Sequence, residues 1–453
     1  MKISSSYLLP FLLFGVPALW GCSHTSPVGR NLSSAANVPR SFSPDVDWGT
    51  SACQDFLQYS LHQIDAPQGV SFNTDAMVVL KDGKNLLEFY DGDPAFGGDA
   101  NKGLFFQNSV HSLWSASKTI TGTLIARALK EGATIPLGDR LTLNTKLDKI
   151  FPAKTIFGFY PTPILPGTPR SELAKLPHLG DGNTYAGHYF QITLENLIYM
   201  GSGFEWNESY EAGLAESTFL PMLYLRSGNP DMFNYAIHQP IGIEGPGKRY
   251  TYSGGNSVIL STILREAYGA QAYAHLPWDL LFDPLDMKGP VFERDGRGIF
   301  IGNSYAYLRP LDMASFGQLY LQGGVWRGKQ LLDPQWVKDA QRLSPPETLP
   351  DTPLSYIVEE GVYSARTFWL NQKVQSHCAE FPHSPSDMYF AAGHYGQLMM
   401  VLPKQNMVIA RTGHDSEYWS KIDGFVSKAV ACIAPERPSK TPLDLEPNCQ
   451  EGK

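Results

Sequence analysis

Ser115 and Lys118 stand three residues apart at the head of an apolar-periodic stretch, a spacing that puts an alcohol and an amine on one helix face. A serine hydroxyl needs a base before it acts as a nucleophile near neutral pH. A lysine amine can serve only if part of it is neutral, and burial together with the positive end of the helix dipole is expected to lower its pKa. The same helix start aims the Ser115 backbone N–H at an incoming oxyanion. Ser115 and Lys118 form the chain's only Ser-x-x-Lys pair. Taken alone, a lysine in a first helical turn is usually a surface residue.

Two later stretches could complete such a site. In Gly245-Pro246-Gly247-Lys248-Arg249-Tyr250-Thr251-Tyr252-Ser253-Gly254-Gly255-Asn256, a turn feeds a short aromatic run and Asn256 can open the next helix. Tyr252 would join proton transfer if an adjacent cation, Lys118, lowered its pKa. Tyr250 competes, and the spacing to Ser253 and Asn256 favours Tyr252. In Gly393-His394-Tyr395-Gly396-Gln397 the glycines allow close backbone approach, and the Gln397 N–H is the candidate second oxyanion donor. Separately, a loop tyrosine is packing and a Gly-rich pentapeptide before a strand is a turn.

In this order the three elements resemble the signature motifs of the penicillin-recognising serine hydrolases. They look closest to the class C β-lactamase-like branch that includes 6-aminohexanoate-dimer hydrolase and related esterases. Trp114, residues 192–203 and residues 308–326 are also similar, so the resemblance covers roughly residues 70–415. It implies an acyl-enzyme on Ser115, with Lys118 and Tyr252 moving the proton. It further implies oxyanion binding by the Ser115 and Gln397 N–H groups, substrate contacts from Asn256, His394 and Gly396, and no cofactor or metal. Which of Lys118 and Tyr252 is the base stays open, because a coupled pair shares its titration. Class C enzymes have an asparagine where this chain has Gly254, and a lysine for the substrate carboxylate where it has His394. A half-charged imidazole anchors an anion poorly. Esters or linear amides are therefore expected ahead of β-lactams or D,D-peptides, with a non-catalytic binding or sensory lipoprotein as the rival from another class.

Other chemistries fail on inspection. No Gly-x-Ser-x-Gly elbow, Walker loop or dinucleotide-binding glycine fingerprint occurs. The 11 histidines show no His-x-x-x-His spacing; only His377, Cys378 and His383 cluster. A formal charge of −8 argues against a nucleic-acid partner.

The elements that must position these residues are legible in outline. Apolar runs 77–80 and 86–90 flank Asp82-Gly83, a hairpin signal. Residues 115–131 repeat at helical spacing up to Gly132. Residues 151–190 are rich in Pro and Gly and read as a long irregular excursion. Helical pieces follow at 193–200, 256–267, 310–322 and 334–342, then strands at 398–402 and 407–412 and an amphipathic segment at 419–433. One sheet built from both chain ends, with a helical region inserted, is an α+β plan. The resemblance implies a β-lactamase/transpeptidase-like form of it, with a mainly antiparallel sheet flanked by helices.

Residues 1–22 read as an export signal, since Tyr7–Trp20 is apolar and uncharged. Leu19-Trp20-Gly21-Cys22 resembles a bacterial lipobox, which would lipidate Cys22 and tether the protein to a membrane, by resemblance the outer one, on its periplasmic side. Without lipidation the chain is expected to be secreted or periplasmic. Residues 23–48 read as a tether, 49–435 as the catalytic domain and 436–453 as a tail. Cys53, Cys378, Cys432 and Cys449 permit two disulfides, and Cys53 is expected to pair with Cys432 or Cys449.

Overall fold

The computed structural model describes residues 42–435 apart from 62–71, 101–102, 159, 166, 174, 177–184, 211–215, 226–230, 346–361 and 375–377. The export signal, Cys22, most of the tether, Cys449 and the tail lie outside the described residues.

Strands β1 (Thr74–Lys81) and β2 (Lys84–Tyr90) form the expected hairpin. Its two turn residues, Asp82 and Gly83, take φ of 52° and 74°, the left-handed pair a two-residue hairpin requires. Three short strands, β3 (His111–Ser112), β4 (Val291–Phe292) and β5 (Ala306–Leu308), make a small sheet in the order β3-β5-β4. A ribbon pairs β6 (Val325–Trp326) with β7 (Lys329–Gln330). The chain's end supplies β8 (Val362–Tyr363), β9 (Trp369–Leu370), β10 (Tyr389–Gly393), β11 (Gln397–Leu402) and β12 (Met407–Gly413). The main sheet runs β2-β1-β12-β11-β10-β9-β8 with every pairing antiparallel. Both chain ends build one sheet, as the α+β reading requires.

Five helices among the described residues exceed ten residues: α1 (Ser51–Leu61), α2 (Ser117–Glu131), α3 (Gly254–Tyr273), α4 (Pro310–Leu321) and α5 (Tyr418–Ile433). α1 and α5 pack together on one face of the sheet, and α4 lies on the other beside the helical region. Covered on both faces, the strands alternate which core they feed. Met77, Val79, Leu398, Met400 and Ile409 point to the α1/α5 side; Val78, Met399, Val401, Val408 and Ala410 point to the other. This double burial explains why the terminal strands read as unbroken apolar runs. The excursion at 151–190 contains short helices at Ala153–Phe157 and Arg170–Leu173 and a 3-10 segment at Ala186–Gln191.

Four elements had no clear periodic signal: α1, the two-residue strands β8 and β9, and β10. Phe42, within the stretch read as a tether, is buried and bridges Leu87. No helix among the described residues is long and apolar enough to cross a membrane. Cys53 and Cys432 form a disulfide between α1 and α5, and Cys378 is disulfide-bonded as well. Closing a loop across 379 residues restricts the unfolded chain. Replacing Cys53 and Cys432 together by serine is expected to lower unfolding free energy by about 2–5 kcal/mol, read from urea melts, with kcat little changed at 25 °C.

Candidate active site

The site is built on a strained turn. Trp114 has φ of 47°, a left-handed conformation that costs a bulky residue on the order of 1–3 kcal/mol. Its ring packs against Tyr210, Tyr305, His394 and Tyr395, and this packing holds the turn. β5 straps the turn from both ends: the Leu113 N–H donates to the Ala306 carbonyl, and the Ala306 N–H donates to Ser117 Oγ. Ser115 follows in a single 3-10 turn, Trp114–Ala116, that runs directly into α2.

α2 is buried along nearly its whole length, and its hydroxyls bond neighbouring carbonyls instead of water. Thr119 Oγ1 donates to the Thr367 carbonyl at 2.7 Å and Thr121 Oγ1 to the Gly302 carbonyl at 2.8 Å. Gly122 permits this close approach, because a Cβ there would lie 2.4 Å from Thr367 Oγ1. Gly132, at φ 75°, ends the helix where the sequence places its stop.

Lys118, its side chain 1% exposed, donates from Nζ to Ser115 Oγ at 2.9 Å. The Tyr252 ring lies 4.5 Å from the same nitrogen, and Tyr252 is hydrogen-bonded to both Ser115 and Lys118. Alcohol, amine and phenol therefore meet, although Tyr252 arrives from a loop far along the chain. Tyr250, the competitor, points into the α1/α5 core against Tyr363.

A fourth group was not anticipated. Glu208 Oε1 accepts from Lys118 Nζ at 2.9 Å, while Oε2 accepts from the Gly254 N–H at 2.8 Å and from Trp206 Nε1 at 2.5 Å. This carboxylate reverses the expected sign at Lys118. Burial pushes the amine down, but Glu208 and then Tyr252 outweigh it, and the pKa ends above its ordinary value. Tyr252 is also raised: burial dominates, Lys118 opposes it and Glu208 reinforces it. The site therefore brings an ion pair, Lys118 with Glu208 at 2.9 Å, beside the Tyr252 phenol and the Ser115 hydroxyl. In the sequence, the only hint of Glu208 was an acidic residue inside an aromatic run, together with a glycine at 254 that leaves room beside it.

The other sequence candidates separate. Asn256 faces inward: its Oδ1 accepts from Ser202 Oγ and its Nδ2 donates to the Leu197 carbonyl. Ser253 caps α3 in its place. Gly396 is a turn residue packed on Arg411, which donates from Nη1 to its carbonyl at 2.8 Å. Gln397 opens β11, an inner strand whose backbone faces β10 and β12, and its side-chain Nε2 donates to the carbonyls of His394 and Gly413. Of the pentapeptide, His394 and Tyr395 stand beside the nucleophile turn, both packed on the Trp114 ring. The His394 ring stacks on Tyr210 with centroids 4.5 Å apart, and burial, with the charge of His414, lowers its pKa. Of the clustered metal candidates, His377 is outside the described residues, Cys378 is in a disulfide, and His383 bonds Asp423 at 2.6 Å.

The strand lying against the nucleophile turn is β10. A Cβ on Gly393 would stand 2.0 Å from the Leu113 carbonyl oxygen. β9 pairs with β10 only at Tyr389 and Phe390, so the edge of Ala391–Gly393 is open on that side. The Gly396 N–H donates to the Gly393 carbonyl, which turns the polar groups of Gly393 toward β11 and those of Ala392 and His394 toward the open edge.

Comparison with known proteins agrees with this architecture. Residues 66–417 match the Beta-lactamase family profile. A 6-aminohexanoate-dimer hydrolase from Paenarthrobacter ureafaciens is 21% identical over 355 residues, covering 76% of this chain and 75% of that protein. Among solved structures, a Bacillus anthracis protein described as a 6-aminohexanoate-dimer hydrolase superposes with a TM-score of 0.54 at 18% identity, covering 79% of each chain. EstCE1, a hydrolase with promiscuous acyltransferase activity, gives a TM-score of 0.56 at 14% identity over 83% of this chain and 98% of its own. The chain belongs to the beta-lactamase family and is a serine hydrolase of ester or amide bonds.

Proposed function

We propose that this hydrolase works through a covalent acyl-enzyme on Ser115. The observation that carries the reading is the 2.9 Å contact of Lys118 Nζ with Ser115 Oγ, with Tyr252 bonded to both. Ser115 Oγ adds to the carbonyl carbon of the substrate, and its proton enters the Lys118–Tyr252 cluster. Collapse of the tetrahedral intermediate breaks the bond to the alcohol or amine, which takes that proton. Water then repeats the sequence on the acyl-enzyme and releases the acid.

The oxyanion site is assigned to the backbone N–H groups of Ser115 and His394 in place of Gln397. Ser115 starts a helix, where the first donors have no intrahelical acceptor. His394 follows β10 on its open edge beside the turn, whereas Gln397 lies in an inner strand. Two such donors stabilise the developing charge.

The substrate we propose is an uncharged ester or linear amide. Ala391, Ala392, Gly393 and His394 line the edge beside the nucleophile, and none presents a fixed positive charge. The walls around Trp114 are aromatic: Tyr210, Tyr305, His394 and Tyr395. This suits an apolar acyl or leaving group better than the carboxylate of a β-lactam. 6-Aminohexanoate-dimer hydrolase, by its name, acts on a dimer of 6-aminohexanoate and not on a β-lactam.

We further propose that the protein works outside the cytoplasm, anchored through Cys22. The disulfide of Cys53 with Cys432 fits an oxidising compartment.

A fluorophosphonate should add to wild-type protein at Ser115 by peptide mass spectrometry. Ser115→Ala should abolish hydrolysis of p-nitrophenyl butyrate without unfolding, and Tyr252→Phe should lower kcat by about 100-fold or more. Full activity in Ser115→Ala would overturn the assignment. Gly393→Ala, which forces β10 off the turn, should lower kcat by roughly 100-fold; an unchanged kcat would remove the β10 edge from the oxyanion site. Cys22→Ala should abolish metabolic labelling with palmitate and shift the protein to the soluble fraction, and labelling that persists would refute the anchor.

A further inference from the structure

The two charged partners nearest Ser115 raise a problem of proton accounting. Lys118 donates a hydrogen bond to Ser115 Oγ, and as an ammonium it has no lone pair for the serine proton. It can take that proton only by releasing another in the same step. Its remaining hydrogen-bond contacts are the Asn303 carbonyl at 3.4 Å, the Tyr252 phenol and the Glu208 carboxylate at 2.9 Å. Only the carboxylate is a base.

We infer that Glu208 acts through Lys118 as the group that holds the serine proton. As Ser115 Oγ bonds to the acyl carbon, Lys118 takes the hydroxyl proton and passes one of its own to Glu208 Oε1. As the carbon–oxygen or carbon–nitrogen bond breaks, Glu208 returns a proton to Lys118, and the cluster delivers one to the leaving group through Tyr252. The cluster ends with the protons it began with. This rests on the reading of Ser115, Lys118 and Tyr252 given above and adds a positioning residue to it.

The surroundings of Glu208 are built for this. Its second oxygen is fixed by two N–H donors, from Gly254 and Trp206, which leave Oε1 aimed at Lys118. Gly254 makes the seat possible: a Cβ there would lie 3.0 Å from Glu208 Oε1 and 2.8 Å from Asn303 Nδ2. The space that a side chain at 254 would fill is the space the carboxylate occupies, at the very position where class C enzymes have asparagine. The other titratable groups facing the pair are Tyr252 and Tyr210, both kept protonated chiefly by burial.

The test is the pH dependence of kcat/KM for p-nitrophenyl butyrate in wild type, Glu208→Gln and Glu208→Ala, with fluorophosphonate labelling of Ser115 in parallel. Without the carboxylate, burial lowers the Lys118 pKa, and lysine must lose its proton to solvent before it can act as a base. Glu208→Gln should therefore lose about 100-fold in kcat/KM at pH 7, with its acid limb moved to higher pH and KM changed by less than about threefold. Formate should restore part of the activity of Glu208→Ala, where chloride at equal ionic strength does not. An unmoved acid limb with near wild-type kcat in Glu208→Gln overturns the inference, as does loss of the near-UV circular dichroism of both variants, which would make the residue structural. If Ser115 is neither labelled nor needed, the underlying reading fails instead.

Discussion

A lysine sealed from water has to be paired, and that requirement organises the active site. An ammonium transferred to a protein interior without a partner costs several kcal/mol, so Lys118, at 1% exposure, can persist only beside compensating groups. Glu208 supplies the charge, and the Ser115 hydroxyl and the Asn303 carbonyl take the remaining directions. Each of these arrives on a different segment. Glu208 must be held by Trp206 and by the Gly254 N–H, and Gly254 must lack a side chain. The loop at 204–208, the start of α3, the loop at 303 and the start of α2 are thus tied to one cation.

The second constraint is backbone strain. Trp114 takes a left-handed conformation immediately before the proposed nucleophile, and the turn is held by aromatic packing outside and by β5 beneath. A turn of this kind presents Ser115 at the head of a helix whose other side is bound to Thr367 and Gly302. Rigid support on both sides keeps Ser115 Oγ within reach of the amine. Within the turn the Ala116 and Ser117 N–H groups donate to the Leu113 and Trp114 carbonyls.

The sheet contributes an edge and a lack of charge. Because β9 stops pairing after Phe390, the last three residues of β10 meet the turn directly, and Gly393 allows the strand to reach the Leu113 carbonyl. The residues there are small, and the stacked rings of Tyr210 and His394 stand beside them. Burial, with the charge of His414, lowers the pKa of that imidazole, and the Lys118–Glu208 pair balances its own charge.

Much of this was already in the sequence, because much of it is local. The three-residue step from Ser115 to Lys118 guarantees one helix face, Asp82-Gly83 dictates a tight hairpin turn, and Gly132 stops α2. The apolar runs at 77–80, 398–402 and 407–412 were legible as strands, and it is the packing of helices on both sides that buries both of their faces. Where the reading went astray, the deciding contacts lie far apart in the chain. Glu208 meets Lys118 across 90 residues, and no periodicity records which loops converge. That single encounter inverted the pKa expected from burial and the helix dipole. Likewise, the Gly-rich run at 393–397 pointed to the right region, but only strand pairing shows that Ala391–Gly393 of β10 have no β9 partner while β11 is paired on both sides. Asn256 looked polar enough for a ligand until Ser202 and the Leu197 carbonyl claimed its amide. Spacing along a chain sets secondary structure because its forces act within a few residues; partners for buried charges are chosen by packing, which only the folded molecule decides.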